Sequence, residues 1–490
     1  MTGQNTFRNP VLGGDRPDPA VIRVGDEYWM TYSSFESAPG LLLYRSSDLV
    51  NWTYAGSALA EPVGSTFAVD IAEVGGRFFI YIPFIPAPWS TLTAPAIFVI
   101  HADSMEGPWS DPIDLGIRGA IDPGHVVGED GKRYLFVNGI RRIQLTDDGL
   151  ATVGDLEQVY DGWRYPDEWI TEAYALEGPK LFWRDGWLYL VSAVGGTGGP
   201  PTGHMVIVAR SRSVDGPWEN SPHNPVTRTK DAAEKWWSRG HATILAGPAG
   251  DGWWMLSHGY ENGYRTLGRQ ILLEPVTWSD DGWPVGATDI SELAAPAGAA
   301  PQRTAAGFHD DFQTLRLGER WTFHAPSPGE LGRVRAAGDG LVLAGKGASV
   351  GDTSPLTVVV DQHAYEIEVD VELTDGGTEA GLLLYFNDRL FCGMGVDGER
   401  MLSYMGGHVS HWREPAPVTR RLQLRLQNDR HIVTGWYRAP GGEWTRHQIR
   451  YETSGYHANT MGDLLSLRPA LFAVGTGSAR FRGFRYRPLS

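Results

Sequence analysis

The chain has one cysteine, Cys392, among its 490 residues, so neither an intrachain disulfide framework nor a thiolate metal cage is available to it. Long apolar runs are equally scarce. The most apolar stretch, FFIYIPFIPAPW at 78–89, is too short and too interrupted by proline to cross a bilayer, and the opening MTGQNTFRNPVLGG lacks the apolar core of a secretory signal. These absences predict a cytoplasmic protein without a membrane partner.

Basic residues are few relative to acidic ones. The 42 Lys and Arg against 58 Asp and Glu give a formal net charge of −16. A surface of this sign repels nucleic acid and anionic lipid, and no basic stripe in the sequence offsets the repulsion. The charge therefore argues against nucleic acid as a partner. It leaves a small neutral ligand open, and homo-oligomerisation as well.

Glycine, proline and aromatic residues are abundant, with 62 Gly, 32 Pro, 19 Trp and 19 Tyr, as is typical of a β-rich protein. A turn followed by an aromatic strand recurs along the chain, and each copy is followed by a further short strand. Three or four short strands per unit describe the blade of a β-propeller, so the pattern predicts five blades over residues 1–292. The copies read GDEYWMTYSS (25–34), GGRFFIYIPF (75–84), DGKRYLFVNG (130–139), DGWLYLVSAV (185–194) and DGWWMLSHGY (251–260).

The propeller pattern stops near Ile290. The segment LAAPAGAAPQRTAAG at 293–307 has no periodicity and predicts a linker over 293–306. Beyond it, apolar and polar residues alternate with period two, as in YEIEVDVEL and RRLQLRLQN. Such runs predict a β-sandwich of jelly-roll or concanavalin-like type over residues 307–490. The sequence therefore predicts an all-β protein with two domains.

Three acidic residues occur where the backbone is rigid and a strand begins. Asp18 lies between two prolines ahead of a strand, Asp122 precedes a proline in the same relation to its own strand, and Glu177 stands at a strand mouth with Gly-Pro behind it. Any one alone is an ordinary turn acid. At equivalent positions of three blades, however, they would face one axial pocket. We expect a carboxylate trio there, with the pKa of Glu177 raised by partial burial, as a general acid requires.

Five stretches of the chain carry a resemblance that covers its whole length. They are NPVLGGDRPDPAVIRVGDEYWMTYSS, AIDPGHVVGEDGKRYLF, ALEGPKLFWRDGWLYLVSAVGGTG, GRQILLEPVTWSDDGWP and GFHDDFQTLRLGERW. Together they resemble glycoside hydrolase family 43, particularly its β-xylosidase and α-L-arabinofuranosidase branch. The resemblance implies an inverting, exo-acting glycosidase that releases a terminal β-D-xylosyl or α-L-arabinofuranosyl unit from plant-derived oligosaccharides.

The resemblance also implies roles for individual residues. Asp18 would be the general base, Asp122 the residue that tunes and orients the acid, and Glu177 the general acid. Arg269 would contact the substrate or the acid pair, and Phe35 would line the sugar subsite. His241 would be a further substrate-binding residue, and it matches a family histidine near the propeller axis that sometimes sits by a structural calcium ion. The alternative is a buried, hydrogen-bonded histidine, because calcium prefers oxygen ligands and would meet His241 only through water. No cofactor is expected to be required, and the fourteen histidines show no zinc spacing.

The chain departs from the family pattern in three places. The family's usual Trp-Ala-Pro-Asp is replaced by Phe-Ala-Val-Asp, so Phe67 alters one wall of the sugar pocket. The loop at 192–204 is longer than usual. A tryptophan pair, Trp236 and Trp237, either packs within its own loop or forms a sugar-stacking lip. The identity of the sugar therefore stays open, and another glycoside such as a galactoside remains an alternative.

Two other classes of function fit the sequence less well than a glycosidase does. A non-catalytic sugar-binding propeller would use the same acids only to bind hydroxyl groups, which the presence of all three makes the weaker alternative. A fructan-cleaving or fructan-transferring propeller should carry an Asn-Asp-Pro-Asn motif and a Glu-Cys pair. Neither occurs in this sequence.

Overall fold

The computed structural model describes residues 5–304, 306–410 and 420–489. The chain divides into two compact units. The first comprises Met1–Phe35, Gly40–Asn262 and Arg269–Arg303, and the second comprises Glu36–Pro39, Gly263–Gly268 and Thr304–Ser490. Within the described ranges the one α-helix is Ala458–Met461, and no helix there has the length and apolar character to cross a bilayer.

The first unit is a five-bladed β-propeller, as predicted, in which each blade is an antiparallel sheet of four or five strands. Blade 1 contains Ala20–Val24, Glu27–Thr31, Gly40–Ser46 and Thr53–Leu59. Blade 2 contains Ser65–Thr66, Asp70–Val74, Arg77–Ile85, Ala96–Ala102 and Ile113–Arg118. Blade 3 contains Gly124–Val127, Arg133–Val137, Arg141–Leu145 and Thr152–Gln158. Blade 4 contains Glu177–Arg184, Trp187–Val194, Met205–Ser211, Glu219–Asn220 and Thr227–Arg228. Blade 5 contains Trp236–Ala246, Trp253–Glu261, Arg269–Trp278 and Pro284–Val285. Short 3₁₀ turns of this unit lie at Asn138–Ile140 and Pro248–Gly250, and the 3₁₀ turn Arg265–Leu267 belongs to the second unit.

A glycine in the hairpin before the second long strand of each blade explains why the turn signal repeats in the sequence. In all five hairpins this glycine has a left-handed backbone, with φ between 61° and 80°. A residue with a Cβ is strained in that region, so glycine is favoured at the tip of the turn. The five residues are Gly25, Gly76, Gly131, Gly186 and Gly252.

Apolar side chains on both faces of each blade hold the ring together. In blade 1, Tyr28 and Met30 join Trp254 of blade 5, whereas Trp29 between them joins Ile80 of blade 2. Corresponding clusters connect blades 2 and 3, blades 3 and 4, and blades 4 and 5. Because successive side chains of a strand point to opposite faces, one aromatic strand packs against two neighbouring blades, and the five interfaces close the ring.

The N-terminal segment is fastened to the end of the propeller. Thr6–Phe7 pairs with Leu293–Ala294 in a two-stranded sheet. The side-chain amide of Asn9 donates to the carbonyl of Leu273 at 2.9 Å, and its side-chain oxygen accepts from the Leu273 backbone N–H at 2.8 Å. The segment predicted as a linker, 293–306, therefore begins with a strand of the first unit, and the division between the units falls after Arg303.

The second unit contains two eight-stranded antiparallel sheets, which fits the predicted sandwich. One sheet is formed by Phe308–Asp310, Val334–Ala336, Leu341–Ala344, Ala364–Leu373, Arg421–Asp429, Ile432–Arg438, Thr445–Glu452 and Ser478–Pro488. The other is formed by Ser37–Ala38, Thr322–His324, Leu356–Thr357, Thr378–Asn387, Leu390–Val396, Met401–Met405, His408–Val409 and Arg468–Gly475, and 3₁₀ turns lie at Glu330–Arg333 and Val350–Asp352. The short strand Ser37–Ala38 comes from within the propeller sequence, which the period-two pattern did not reveal.

Candidate active site

The three predicted acids all lie at the beginning of the first strand of a blade. Asp18 and Asp122 stand two residues ahead of the first strands of blades 1 and 3, and Glu177 begins the first strand of blade 4. Their side chains are 6%, 3% and 18% exposed, respectively. Since the first strands of the blades surround the propeller axis, the structure brings the three carboxylates together there.

Backbone strain accompanies three of the residues at this centre. Asp18, Asp122 and His241 have φ values of 60°, 55° and 46°, in a region that costs about 1–3 kcal/mol for a residue with a Cβ. The backbone N–H of Asp18 donates to Nδ1 of His258 at 3.0 Å, which helps to hold the conformation. Such strain is concentrated where side chains must be aimed at a common point.

The imidazole of His241 connects the three acids. Its Nδ1 lies 3.6 Å from Oδ1 of Asp18, and its Nε2 lies 3.5 Å from both Oδ2 of Asp122 and Oε1 of Glu177. Burial alone would lower the pKa of His241, but the three carboxylates outweigh burial and raise it to about 9. At neutral pH the ring is therefore a cation surrounded by acids.

Asp18 is held in its ionised form. Its oxygens accept hydrogen bonds from the Ser33 hydroxyl at 2.6 Å and from Nη1 of Arg269 at 2.8 Å, and Nδ1 of His258 lies 3.0 Å away. Burial raises the pKa of Asp18, but Arg269, His241 and His258 outweigh burial and hold it well below its usual range. A buried carboxylate kept ionised in this way can accept a proton.

Asp122 and Glu177 form a contrasting pair. The backbone N–H of Gly178 donates to Oδ2 of Asp122 at 3.1 Å, so the two acids are tied together through the residue after Glu177. Burial and the negative charges of Glu177 and Asp18 outweigh His241 and raise the pKa of Asp122 to about 7. Asp122 therefore retains a proton close to neutrality.

The expectation of a raised pKa for Glu177 is wrong for the free site. Burial raises the pKa of Glu177, but His204 and His241 outweigh burial and lower it to about 2. The raised value falls on Asp122 instead. The sequence-based expectation rested on burial and could not include two imidazoles that reach Glu177 from blades 4 and 5.

His204 and His258 are two site residues that could not be predicted from the sequence. Their ring centres lie 5.3 Å apart and within 5.4 and 5.7 Å of the His241 ring, and both side chains are fully buried. Burial lowers the pKa of each, which keeps both rings neutral. The three residues come from positions 204, 241 and 258, a spacing that matches no local motif. Their only sequence signal is a histidine inside or just ahead of an apolar strand.

Phe35, Phe67 and Arg269 lie together, and Arg269 contacts Asp18. The Phe35 and Phe67 rings are 5.1 Å apart in an edge-to-face arrangement, and the Arg269 guanidinium lies 5.4 Å from the centre of the Phe35 ring. Backbone hydrogen bonds between Phe35 and Thr66 fix this corner. The structure thus groups the residues that were expected to line the sugar subsite.

A buried ion pair connects strands that neighbour the acids, and it could not be predicted from the sequence. Nζ of Lys180, on the strand that begins with Glu177, lies 2.8 Å from Oδ1 of Asp70 and 3.4 Å from the carbonyl of Pro123. The other Asp70 oxygen accepts from the His125 backbone N–H at 2.7 Å. Blades 2, 3 and 4 are therefore linked through residues that are close in sequence to Asp122 and Glu177.

Glu177, His204 and His241 present ligand atoms that all lie within 4.8 Å of one another. Two of these three donors are imidazole nitrogens. Calcium takes six to eight oxygen ligands, so this trio does not suit direct calcium coordination. The contacts of His241 to three carboxylates already engage both nitrogens of its ring.

Comparison with known proteins shows what class of protein carries this site. The sequence profile described as "Glycosyl hydrolases family 43" matches residues 7–284. A xylan 1,3-β-xylosidase from Vibrio sp. is 30% identical over 98% of this chain and 94% of its own length. A non-reducing end α-L-arabinofuranosidase from Bacteroides ovatus is 33% identical over 65% of this chain and 61% of its own length.

Solved structures agree on the fold. A xylan β-1,4-xylosidase from Bacillus halodurans superposes with a TM-score of 0.86 at 24% identity, covering 98% of this chain and all of that one. A family 43 protein from Bacillus licheniformis gives the same TM-score and identity over 99% of this chain and all of that one. The clustered buried carboxylates of the propeller, together with these relatives, identify this protein as a glycosidase. The chain belongs to glycosyl hydrolase family 43.

Proposed function

We propose that this glycosidase is exo-acting and inverting, and that it releases a terminal β-D-xylosyl or α-L-arabinofuranosyl unit from plant-derived oligosaccharides. The observation that carries the proposal is the contrast within one buried cluster. Asp18 is held ionised, whereas the pKa of Asp122 is raised to about 7, so that Asp122 keeps its proton close to neutrality. Where the pKa values of neighbouring titratable groups are pushed apart in this way, the acid and the base can be assigned.

Asp18 is the general base. It accepts the proton of the water that attacks the anomeric carbon, while Ser33 and Arg269 hold its carboxylate in place. Arg269 keeps two further donors, Nε and Nη2, buried and without a hydrogen-bond partner among the described residues. A sugar oxygen would satisfy them, because a buried donor is seldom left unpaired.

Glu177 is the general acid, and Asp122 and His241 hold the proton that it needs. Nε2 of His241 lies 3.5 Å from both carboxyl groups. Because the ring is a cation, its Nε2–H proton passes to Glu177 first, and the freed Nε2 then takes the proton of Asp122, which leaves the ring a cation again. A bound sugar that excludes water weakens the stabilisation of ionised Glu177 and favours that transfer. Protonated Glu177 then donates to the departing glycosidic oxygen.

Inversion is supported by what lies between the base and the acid. The His241 ring has its Nδ1 toward Asp18 and its Nε2 toward Glu177, at 3.6 and 3.5 Å. Carboxyl groups separated by an imidazole fit the spacing of about 6.5–9.5 Å at which water attacks directly, better than the about 5–5.5 Å of a retaining pair.

The choice of a terminal pentose is supported by the relatives. Both curated relatives described above are named for xylosidase or arabinofuranosidase activity, and one name specifies the non-reducing end. The aromatic corner of Phe35 and Phe67 offers an apolar wall for a small sugar ring. A panel of nitrophenyl glycosides identifies the sugar directly. If the protein hydrolysed none of these glycosides, that result would contradict the proposal.

Variants of the two acids test their roles. Glu177→Ala should lose about 10²–10⁴-fold on a natural disaccharide but far less on a nitrophenyl glycoside, whose leaving group hardly needs protonation. Asp18→Ala should lose activity on both substrates, because both need an activated water. Glu168→Ala, an exposed acid ahead of Glu177, is the matched control and should be unchanged. Equal losses of Glu177→Ala on the two substrates would remove Glu177 from the acid role.

A further inference from the structure

A cavity of the propeller, about 670 Å³ in volume, is lined by none of the three acids. Its wall is formed by residues 223–228 of blade 4, by residues 285–291 at the end of blade 5, and by the beginning of the long strand Trp236–Ala246. Cavities of roughly 300–1,000 Å³ are the size that small ligands occupy. The same strand carries His241 further along, so the cavity and the carboxylate cluster share one structural element.

Three residues of the cavity lining each carry an enclosed polar atom that has no hydrogen-bond partner among the described residues. Trp236, Arg239 and Thr227 are 3%, 4% and 5% exposed. Among the described residues, Nε1 of Trp236, Nε of Arg239 and the Thr227 hydroxyl have no hydrogen-bond partner. The guanidinium of Arg239 is otherwise engaged, since its Nη2 donates to Oε1 of Glu274 at 2.7 Å. All three groups can donate, so the missing partner is one that offers oxygen acceptors.

The cavity lining is cationic in a chain whose net charge is −16. Arg228, Lys230 and Lys235 line it, and the Arg228 guanidinium lies 3.4 Å from the centre of the Trp169 ring, which holds it at the wall. Nζ of Lys235 lies 3.5 Å from Oε1 of Glu261. A cationic wall next to unpaired donors selects an anion.

The two acids of the lining are engaged by their own turns. Oε1 of Glu234 accepts from the backbone N–H groups of Lys230 and Asp231 at 2.8 and 3.1 Å, and Oδ1 of Asp289 accepts from that of Ser291 at 2.9 Å. They can still accept hydrogen bonds from hydroxyl groups through their remaining lone pairs. The site therefore suits a ligand that combines a negative charge with hydroxyl groups.

We propose that this cavity binds a sugar unit that bears a carboxylate, such as a uronic acid carried on the oligosaccharide substrate. A small inorganic anion would leave most of the volume empty and would not use the apolar part of the wall, which includes Pro225, Val226 and Ile290. The carboxylate is bound by Arg228 and the unpaired donors. The inference rests on the proposed function only for the choice of a xylose-based carrier.

Binding without turnover tests the inference. Isothermal titration of the Glu177→Gln protein would compare xylotriose carrying a glucuronic acid branch with unbranched xylotriose, and with sodium sulfate as the simple anion. We expect the acidic oligosaccharide to bind about tenfold or more tightly than the neutral one, because charge-assisted hydrogen bonds are added. Equal affinities for the two sugars would overturn the proposal, as would sulfate binding as tightly as the acidic sugar.

Substitutions then locate the effect. Arg228→Gln should abolish the preference for the acidic sugar, and Trp236→Phe, which keeps a ring but removes the N–H, should weaken acidic-sugar binding about fivefold. The matched controls lie outside the cavity. Trp237→Phe removes an N–H that donates to the carbonyl of Ala232 at 3.0 Å, and Arg184→Gln removes a guanidinium stacked 3.8 Å from the Trp278 ring centre.

The outcomes separate this inference from the proposed function. The preference for the acidic over the neutral sugar concerns the cavity alone, whereas hydrolysis of nitrophenyl pentosides by the unsubstituted protein concerns the acids. If Trp236→Phe does not fold, Arg228→Gln at the more exposed rim carries the test. An unchanged preference in Arg228→Gln, or an equal loss in Arg184→Gln, would overturn the assignment of the cavity.

Discussion

Replacing Arg269 by methionine should raise the pKa of the proposed base and shift the acidic limb of the pH profile. In the native protein Nη1 of Arg269 lies 2.8 Å from Oδ1 of Asp18, and both side chains are almost fully buried. At that distance an effective dielectric constant of about 20 gives about 6 kcal/mol of attraction, and removing one member of a buried pair costs about 3–5 kcal/mol. Most of this loss falls on the ionised form of Asp18, so the pKa of Asp18 rises in the variant.

The sign of the stability change follows from the direction of the pKa shift. Because the pKa of Asp18 is depressed in the folded protein, the ionised residue contributes stability above its unfolded pKa of about 3.9, and that stability is lost as the pH falls through the folded value. Arg269→Met should therefore lose about 3–5 kcal/mol of unfolding free energy at pH 7 and less in acid. Urea denaturation at several pH values measures this difference.

The assay for the base is the pH dependence of kcat/KM on a nitrophenyl pentoside, which reports groups of the free enzyme. The acidic limb of Arg269→Met should move to higher pH, and Arg269→Lys should recover part of the shift. Arg239→Met is the matched control, because it also removes a buried arginine from a carboxylate, Glu274 at 2.7 Å, but away from the acids. An unshifted limb in Arg269→Met, or an equal shift in Arg239→Met, would refute the reasoning.

Two further predictions concern groups around the acids. Lys180→Met should lower the unfolding free energy by about 3–5 kcal/mol, because Asp70 would stay buried without its cation, whereas Lys132→Met at an exposed pair should change it by less than about 1 kcal/mol. A denaturant midpoint for Lys180→Met close to that of Lys132→Met would contradict the structural role. The pKa of His241 is raised to about 9, so its contribution to stability is complete below the unfolded pKa of about 6.5 and is lost as the pH rises through 9. The fall in unfolding free energy over this window should be reduced in His241→Asn, and an identical pH dependence in the variant would argue against a charged His241.

Much of the fold could be predicted because short-range sequence patterns determine it. The turn glycines such as Gly25 and Gly186 repeat with the blades, and alternating strands such as Ala364–Leu373 mark the second unit. The acids could be found for the same reason, since Asp18 and Asp122 occur at one position of a repeated local pattern. The strand Ser37–Ala38 could not be predicted in this way, because its partner strand, Thr322–His324, lies almost 300 residues away in the sequence and its own two residues show no pattern.

The electrostatics of the site could not be predicted from sequence. Whether Glu177 or Asp122 has the raised pKa depends on the imidazoles of His204 and His241, which reach Glu177 only once blades 4 and 5 are adjacent. Likewise, the pairing of Asp70 with Lys180 joins residues of blades 2 and 4. Such contacts depend on the closed ring rather than on the chain near each residue.

The central claim, that Asp18 activates a water while Glu177 protonates the leaving group across the same sugar, is tested most directly by stereochemistry. Proton NMR of a nitrophenyl xyloside or arabinofuranoside reaction, recorded before mutarotation, identifies the anomer released first. The account predicts that the first-formed sugar has the configuration opposite to that of the substrate, as direct displacement by water requires. A first product with the substrate's own configuration would mean a covalent intermediate, and it would contradict the assignment of Asp18 as a base.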